Sequence, residues 1–245
     1  MVEKNCCIEM KGIGHRFGTH RVLNDIDVCI NHGEIFGILG PSGCGKTTMV
    51  KIMAGILQAT EGEIQVLGHN MPNLQMMDQL GYMAQSDALY SLLSAQENLQ
   101  FFGSIYGLKK MQLQQRILAV MDLVNLADRL ESQVQDFSGG MKRRLSLAIA
   151  LLHQPPILIL DEPTVGIDPL LRQEVWEELY RLAQQGVSVV VTTHVMDEAE
   201  KCNRLAMMRD GRLIAEGSPV ELLRVTGTRT LEEVFLYYGG LVDES

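Results

Sequence analysis

No apolar run in this 245-residue sequence approaches the roughly 20 residues that a membrane-spanning helix needs, so no transmembrane segment is expected. Aromatics make up 5% of the chain. Its one tryptophan, Trp176, and most of its fourteen methionines are read as core packing rather than as a site. Basic residues are in deficit. Lys and Arg number 21 against 30 Asp and Glu, a net charge of −9, which argues against the basic surface of a general nucleic-acid binder. The opening Met1-Val-Glu-Lys-Asn lacks the basic-then-apolar order of a secretory signal. The five cysteines (Cys6, Cys7, Cys29, Cys44 and Cys202) are odd in number and scattered, with no CxxC spacing. That pattern argues for a reducing compartment and against a structural metal. No repeat or low-complexity segment breaks the chain. The expectation is a soluble, cytosolic protein that can still dock onto a membrane protein.

What is present fits a globular domain: 46% hydrophobic residues, 21% charged, and enough length to bury a core. "VLNDIDVCI" alternates loosely, with Leu23, Ile26, Val28 and Ile30 apolar, and "GTH" and "NHGE" read as turns, so antiparallel strands are predicted here. "GEIQVLGHN" predicts another. "EIFGIL" (34–39), "PILIL" (156–160) and "VSVVV" (187–191) are instead continuously apolar and short, as suits parallel strands buried on both faces. Helical patterns separate them, which predicts an α/β sheet. Residues 86–153 read as helical, and so does the tail, where Leu231, Val234, Phe235 and Tyr238 share a face.

The strand at 34–39 runs straight into "GPSGCGKTT", in which Gly40, Gly45, Lys46 and Thr47 satisfy G-x-x-x-x-G-K-[ST]. A helical pattern follows at Met49, Ile52, Met53 and Ile56. Glycines let successive backbone N–H groups converge on one anion, and the helix points its positive end at the same place. Lys46 would then reach β and γ phosphates, and the Thr47 hydroxyl would bind Mg²⁺. The other two buried strands also end in chemistry: "PILIL" in Asp161 and Glu162, "VSVVV" in Thr192, Thr193 and His194. Ligands gather beyond the carboxyl ends of strands in such sheets. Asp161 fits a magnesium ligand acting through water, and Glu162 a group that polarises an attacking water.

A second anion site is expected at "DFSGGMKRRLSLAIALL". Ser138 is a good N-cap, and Met141, Leu145, Ala148 and Leu152 form one apolar face. Lys142, Arg143 and Arg144 lie near the helix N-terminus, where the dipole disfavours cations. They predict a bound anion or an acidic partner there.

These motifs together resemble the ATP-binding cassette ATPases over nearly the whole chain. "GPSGCGKT" resembles their Walker A motif, "ILILDEP" the Walker B motif and "FSGGM" the signature motif. The resemblance implies a P-loop NTPase core with a mostly parallel sheet, an N-terminal antiparallel β-subdomain and an inserted α-helical subdomain. In those terms 1–85 and 154–220 form the core, 86–153 the helical subdomain, and 221–245 a helical tail. ATP would be held by Gly40, Pro41, Ser42, Gly43, Cys44, Gly45, Lys46, Thr47 and Thr48. Phe17 takes the place of the aromatic, usually tyrosine, that stacks on adenine. Mg²⁺ would rest on Thr47, Gln85 and Asp161. Glu162, His194, Gln85 and Lys46 would carry the hydrolysis, with Gln85 as the Q-loop glutamine and His194 as the switch histidine.

Ser138, Gly139 and Gly140 of one subunit, with Asp168 of its D-loop, would close over the ATP of another. That head-to-tail sandwich would form with a second copy or with a paralogous ATPase. Phe137 and Met141 depart from the usual LSGGQ, which removes any side-chain contact made by the glutamine. The nearest branch is that of drug and lipid exporters, whose ATPase is often a separate subunit. The implied partner is a transmembrane permease, and the implied location is the cytoplasmic face of the cell membrane, with no nucleic acid expected. An importer ATPase, a soluble family member acting on ribosomes or DNA, and a non-hydrolysing nucleotide-binding module are the alternatives.

Overall fold

The computed structural model describes residues 6–86 and 88–240. Strands β1 (Cys6–Phe17) and β2 (His20–Asn31) pair antiparallel around a turn with Gly18 at φ 60°. The loose alternation in β2 has a structural cause. Asp25 adopts φ 55° and the register shifts beside it, so Leu23 and Ile26 point inward although three residues apart. Then come β3 (Ile35–Leu39), α1 (Lys46–Met53), β4 (Glu61–Val66), β5 (His69–Asn70), β6 (Leu80–Met83), α2 (Ala95–Ile105), α3 (Lys110–Leu123) and α4 (Gly139–Leu151). The chain continues with β7 (Ile157–Asp161), α5 (Pro169–Gln184), β8 (Ser188–Thr193), α6 (Met196–Ala199), β9 (Arg204–Arg209), β10 (Arg212–Gly217), α7 (Pro219–Thr226) and α8 (Leu231–Tyr238).

A four-stranded antiparallel sheet runs β2-β1-β4-β5, and a six-stranded sheet runs β10-β9-β3-β8-β7-β6. All neighbours in the larger sheet are parallel except β10 on β9. Its continuous apolar runs divide residue by residue between two cores. Phe36, Ile38, Ile157, Ile159 and Val190 pack with α1 and the antiparallel sheet. Ile35, Leu39, Leu158, Leu160, Val189 and Val191 pack on the other face with α3, α4 and α5. Burial on both faces is why these strands do not alternate. Trp176 is buried in the second core, as expected.

Helix α1 is shorter than its sequence pattern suggests, and Ile56 lies outside it, 54% exposed. Gly55 at φ 70° donates to the Ile52 carbonyl and Ile56 N–H to that of Lys51, a Schellman closure that ends the helix at Met53. The cysteines also depart from expectation. Antiparallel pairing of β1 with β2 brings Cys6 and Cys29, 23 residues apart, to a Cα separation of 5.5 Å, where they form a disulfide. Cys7, Cys44 and Cys202 remain free and buried.

Helices α3 and α4 cap one another. Arg116 of α3 donates to the Leu151 and Leu152 carbonyls ending α4, at 2.9 and 3.0 Å. Arg144 of α4 donates to the Val124 and Asn125 carbonyls beyond α3, at 3.2 and 3.0 Å. Each guanidinium meets the negative end of the other helix.

Just past α4, the His153 ring stacks on Tyr106 at 3.7 Å, and its Nε2 donates to the Leu80 carbonyl at 3.2 Å. Its Nδ1 is buried without a partner among the described residues. Burial pushes the imidazole pKa down from 6.5 to about 4. Between those values the unfolded chain binds the extra proton, so this stabilisation is complete above pH 6.5 and is lost as pH falls toward 4. Discounted for partial exposure, the loss is about 2 kcal/mol. Urea unfolding at pH 7 and pH 4.5 should therefore show a steeper loss for the parent than for His153→Phe. Equal losses would remove His153 as the cause.

Candidate functional site

The site assembles at the carboxyl ends of three adjacent strands. After β3 the chain turns through Gly40 to Gly45 into α1. Helices α2, α4, α5, α7 and α8 each have a side-chain N-cap, from Ser94, Ser138, Asp168, Ser218 and Thr230. Helix α1 has none. Gly45 stands at its start with φ 110°, a conformation open to glycine, and a Cβ there would meet Leu23 Cδ2 at 2.8 Å. The first N–H groups of α1 are thus left for an anion. Lys46 is buried and folds back onto the turn, its Nζ donating to the Gly40 and Pro41 carbonyls at 2.7 and 3.0 Å. Cys44 is buried in the same turn, and desolvation raises its thiol pKa.

Strand β7 ends at Asp161, which is fully buried. Its Oδ1 accepts the Thr192 hydroxyl, while Oδ2 has no partner among the described residues. Glu162 follows at φ 52°, a left-handed conformation costing a non-glycine residue about 1–2 kcal/mol. It is pinned there by Thr192 of β8, to whose carbonyl and hydroxyl its N–H donates at 3.2 and 2.9 Å. The side chain is thereby turned toward the phosphate turn. Its Oε1 lies 3.1 Å from His194 Nδ1 and 3.9 Å from Lys46 Nζ. Strain retained at one carboxylate, aimed between a lysine and a histidine, marks a functional position.

Ser42, Gly43, Gly45, Lys46, Thr47, Thr48, Gln85 and Glu162 line one cleft of about 150 Å³ with Val22. Gly40, Pro41 and Cys44 form the turn beneath it. Phe17 stands apart at the end of β1, 54% exposed, its ring against His15. Ser138, Gly139, Gly140 and Asp168 do not line the cleft. Ser138 caps α4 through Met141 N–H at 3.3 Å, and Asp168 caps α5 through Leu171 N–H at 3.1 Å. Gly140 sits against the Gly166 carbonyl, which a Cβ would meet at 2.9 Å, so the signature turn and the loop before Asp168 touch within one chain.

Two of the three cations beside Ser138, Arg143 and Arg144, do not face an anion site, contrary to the sequence-based expectation. Arg144 caps α3, and Arg143 is buried. Its guanidinium donates to the carbonyls of Ala84, Gln85, Asp161 and Glu162. Carbonyls at the ends of β6 and β7 supply the negative partners that were expected of a ligand or acidic protein. Arg143 is thus a residue of the site that sequence reasoning misassigned, and its unfavourable place on the helix dipole was the available signal.

Magnesium is what the resemblance implies for this cleft. The orphan Oδ2 of Asp161 is a buried acceptor of the kind that suits such a cation. No three His, Cys, Asp or Glu side chains cluster as metal ligands among the described residues. Thr47, Gln85 and Asp161 with a nucleotide's phosphates suit Mg²⁺, which is commonly held that way.

Comparison with known proteins bears on this geometry. The family profile described as ABC transporter matches residues 23–165. A probable multidrug ABC transporter ATP-binding protein of Escherichia coli K12 is 41% identical over 217 residues, 88% of this chain but 38% of that protein. The chain thus spans well under half the length of that relative. A Nod factor export ATP-binding protein I of Cupriavidus metallidurans is 39% identical over 88% of this chain and 72% of its own length. Among solved structures, an ATP-binding subunit of an ABC transporter superposes with a TM-score of 0.88 at 27% identity, over 95% of this chain and 99% of that one. A dimeric ATP-binding cassette in a post-hydrolysis state bound to ADP and Pi gives 0.81 at 26% identity, over 86% and 98%.

Proposed function

We propose that this chain, which belongs to the ABC transporter family, binds and hydrolyses ATP as the ATP-binding subunit of a membrane exporter of drugs, lipids or other hydrophobic compounds. The observation that carries the chemistry is Glu162, turned at φ 52° into the cleft between Lys46 and His194. The N–H groups of 43–48 cradle the phosphates, and Lys46 exchanges the Gly40 and Pro41 carbonyls for phosphate oxygens. Phe17 stacks on the adenine. Glu162 takes the proton of a water that attacks the γ-phosphorus as the bond to the bridging oxygen breaks, leaving ADP and inorganic phosphate. His194 holds the Glu162 carboxylate in place. Mg²⁺, when bound at Thr47, Gln85 and Asp161, supplies charge neutralisation at the phosphates.

Residues Ser138, Gly139, Gly140 and Asp168 serve the cleft of a second subunit, since they do not line their own. A second copy or a paralogous ATPase, arranged head to tail, completes two such sites, and a solved relative is dimeric. We take 1–85 and 154–220 as the nucleotide-binding core, 86–153 as the helical subdomain and 221–245 as the tail. Between core and helices lies an apolar groove of about 310 Å³, lined by Ile56, Met77, Tyr82, Leu89, Phe102 and Ile149 and by Ala84 and Ser86 on either side of Gln85. A cytoplasmic element of the permease fills it, so that transport force reaches Gln85.

In this reading the permease carries the membrane attachment, at its cytoplasmic face; no helix among the described residues is long and apolar enough to cross a membrane. The test is to tag the chain, crosslink intact cells, solubilise the membranes and identify what co-purifies. A polytopic membrane protein in near-equal amount is the expected result. Recovery with ribosomes or DNA-repair proteins alone would overturn the transport reading and leave the ATPase chemistry standing.

A further inference from the structure

Glu198 lies in an acidic run, Asp197-Glu198-Ala199-Glu200, that reads as a solvated surface. Asp197 and Glu200 are exposed, but Glu198 is 3% exposed and lines none of the cleft. Its two carboxylate oxygens accept separate threonine hydroxyls. Oε1 accepts from Thr164, and Oε2 from Thr193 at 2.7 Å. The Thr193 hydroxyl in turn accepts the Val195 N–H at 3.0 Å, so the backbone on both sides of His194 is fixed to one side chain. Thr164 stands two residues beyond Glu162, and its carbonyl accepts Ile167 N–H at 3.2 Å just before Asp168. Arg172 of α5 places its Nε 3.7 Å from Oε1 and balances the buried charge.

From this arrangement we infer that Glu198 is a positioning residue for the reaction. It holds His194 against Glu162 and ties that histidine to the loop ending in Asp168. The inference rests on the ATPase reading above. Under that reading the loop meets a second subunit while His194 holds the Glu162 carboxylate, so one buried carboxylate keeps the two segments in step. Without it, nucleotide would still bind, because the phosphate turn shares no hydrogen bond with Glu198.

The test compares Glu198→Gln, Thr193→Val and Thr193→Ser with the parent chain. Glu198→Gln and Thr193→Val should each lower kcat roughly tenfold, a fraction of what a positioned proton-transfer group contributes. ATP Kd and KM should stay within about twofold, since only transition-state alignment is lost. Thr193→Ser keeps the hydroxyl and should restore the parent kcat. Combined with His194→Ala, Glu198→Gln should add no further loss, because both act through the same imidazole.

Parent kcat in Glu198→Gln, or additive losses in the double variant, would overturn the inference. So would a parallel fall in ATP affinity and melting temperature, which marks a merely structural role. Ring NMR of His194 in the nucleotide-free protein gives an answer independent of turnover. A shift in Thr193→Val and Glu198→Gln supports the positioning, and unmoved resonances overturn it. A parent that binds ATP without hydrolysing it, yet shows those shifts, would refute the ATPase reading and leave the positioning of His194 intact.

Discussion

Glu162→Gln should keep ATP binding and lose turnover by roughly 10²- to 10⁴-fold, the range that a positioned base contributes. Glutamine preserves the length of the side chain and an oxygen that can accept from His194 across the present 3.1 Å. The left-handed backbone at 162 is held by main-chain bonds to Thr192, which the substitution does not touch. What disappears is the capacity to take a proton from water. With ATP bound but not cleaved, the two-subunit state should accumulate, visible as an ATP-dependent dimer in size-exclusion chromatography. Hydrolysis at the parent rate would remove Glu162 as the base.

Arg143→Met should cost about 3 kcal/mol of stability, because it strands two buried and two part-buried carbonyls at once. Methionine fills much of the same space without a donor. The carbonyls of Ala84, Gln85, Asp161 and Glu162 would then be left without the arginine or hydrated by intruding water. For a chain of this size the melting temperature should fall by on the order of 10 °C. The effect on activity should exceed what the stability loss alone produces. The guanidinium bolts the segment after β6, with Gln85, to the end of β7, with Asp161 and Glu162. A melting temperature within two degrees of the parent, with unchanged ATPase, would show that neighbouring groups replace the bolt.

The parts legible in the sequence were those whose burial is uniform. Strands β3, β7 and β8 carry unbroken apolar runs (35–39, 157–160 and 189–191) because both faces are covered there, and the glycine-lysine turn is set by backbone demands that few sequences meet. Strands β6, β9 and β10 escaped notice. "LGYM" is short and carries a glycine, β9 is bracketed by Arg204 and Arg209, and β10 is an edge strand with a half-exposed, mixed pattern. Arg143 was misread, and Glu198 passed over, for one shared reason. A charged side chain buried against distant carbonyls or hydroxyls is indistinguishable, in sequence, from one in water: the carbonyls on Arg143 lie 18 to 59 residues away and one of the two threonines on Glu198 lies 34 away. The Cys6–Cys29 pair was hidden likewise, its proximity being made by strand register rather than by spacing.

The paired arginines of α3 and α4 have a mechanical consequence. Sliding one helix along the other by a single turn, about 5.4 Å, would pull both guanidiniums off their carbonyls together. Bonds of this charged kind contribute about 1.5–3 kcal/mol each, so slippage in either direction meets the same double resistance. The two helices therefore behave as one strut, as stiff under tension as under compression, and a push or a pull on one end of α3 reaches the Ser138 turn at the head of α4 without being lost to shear between them.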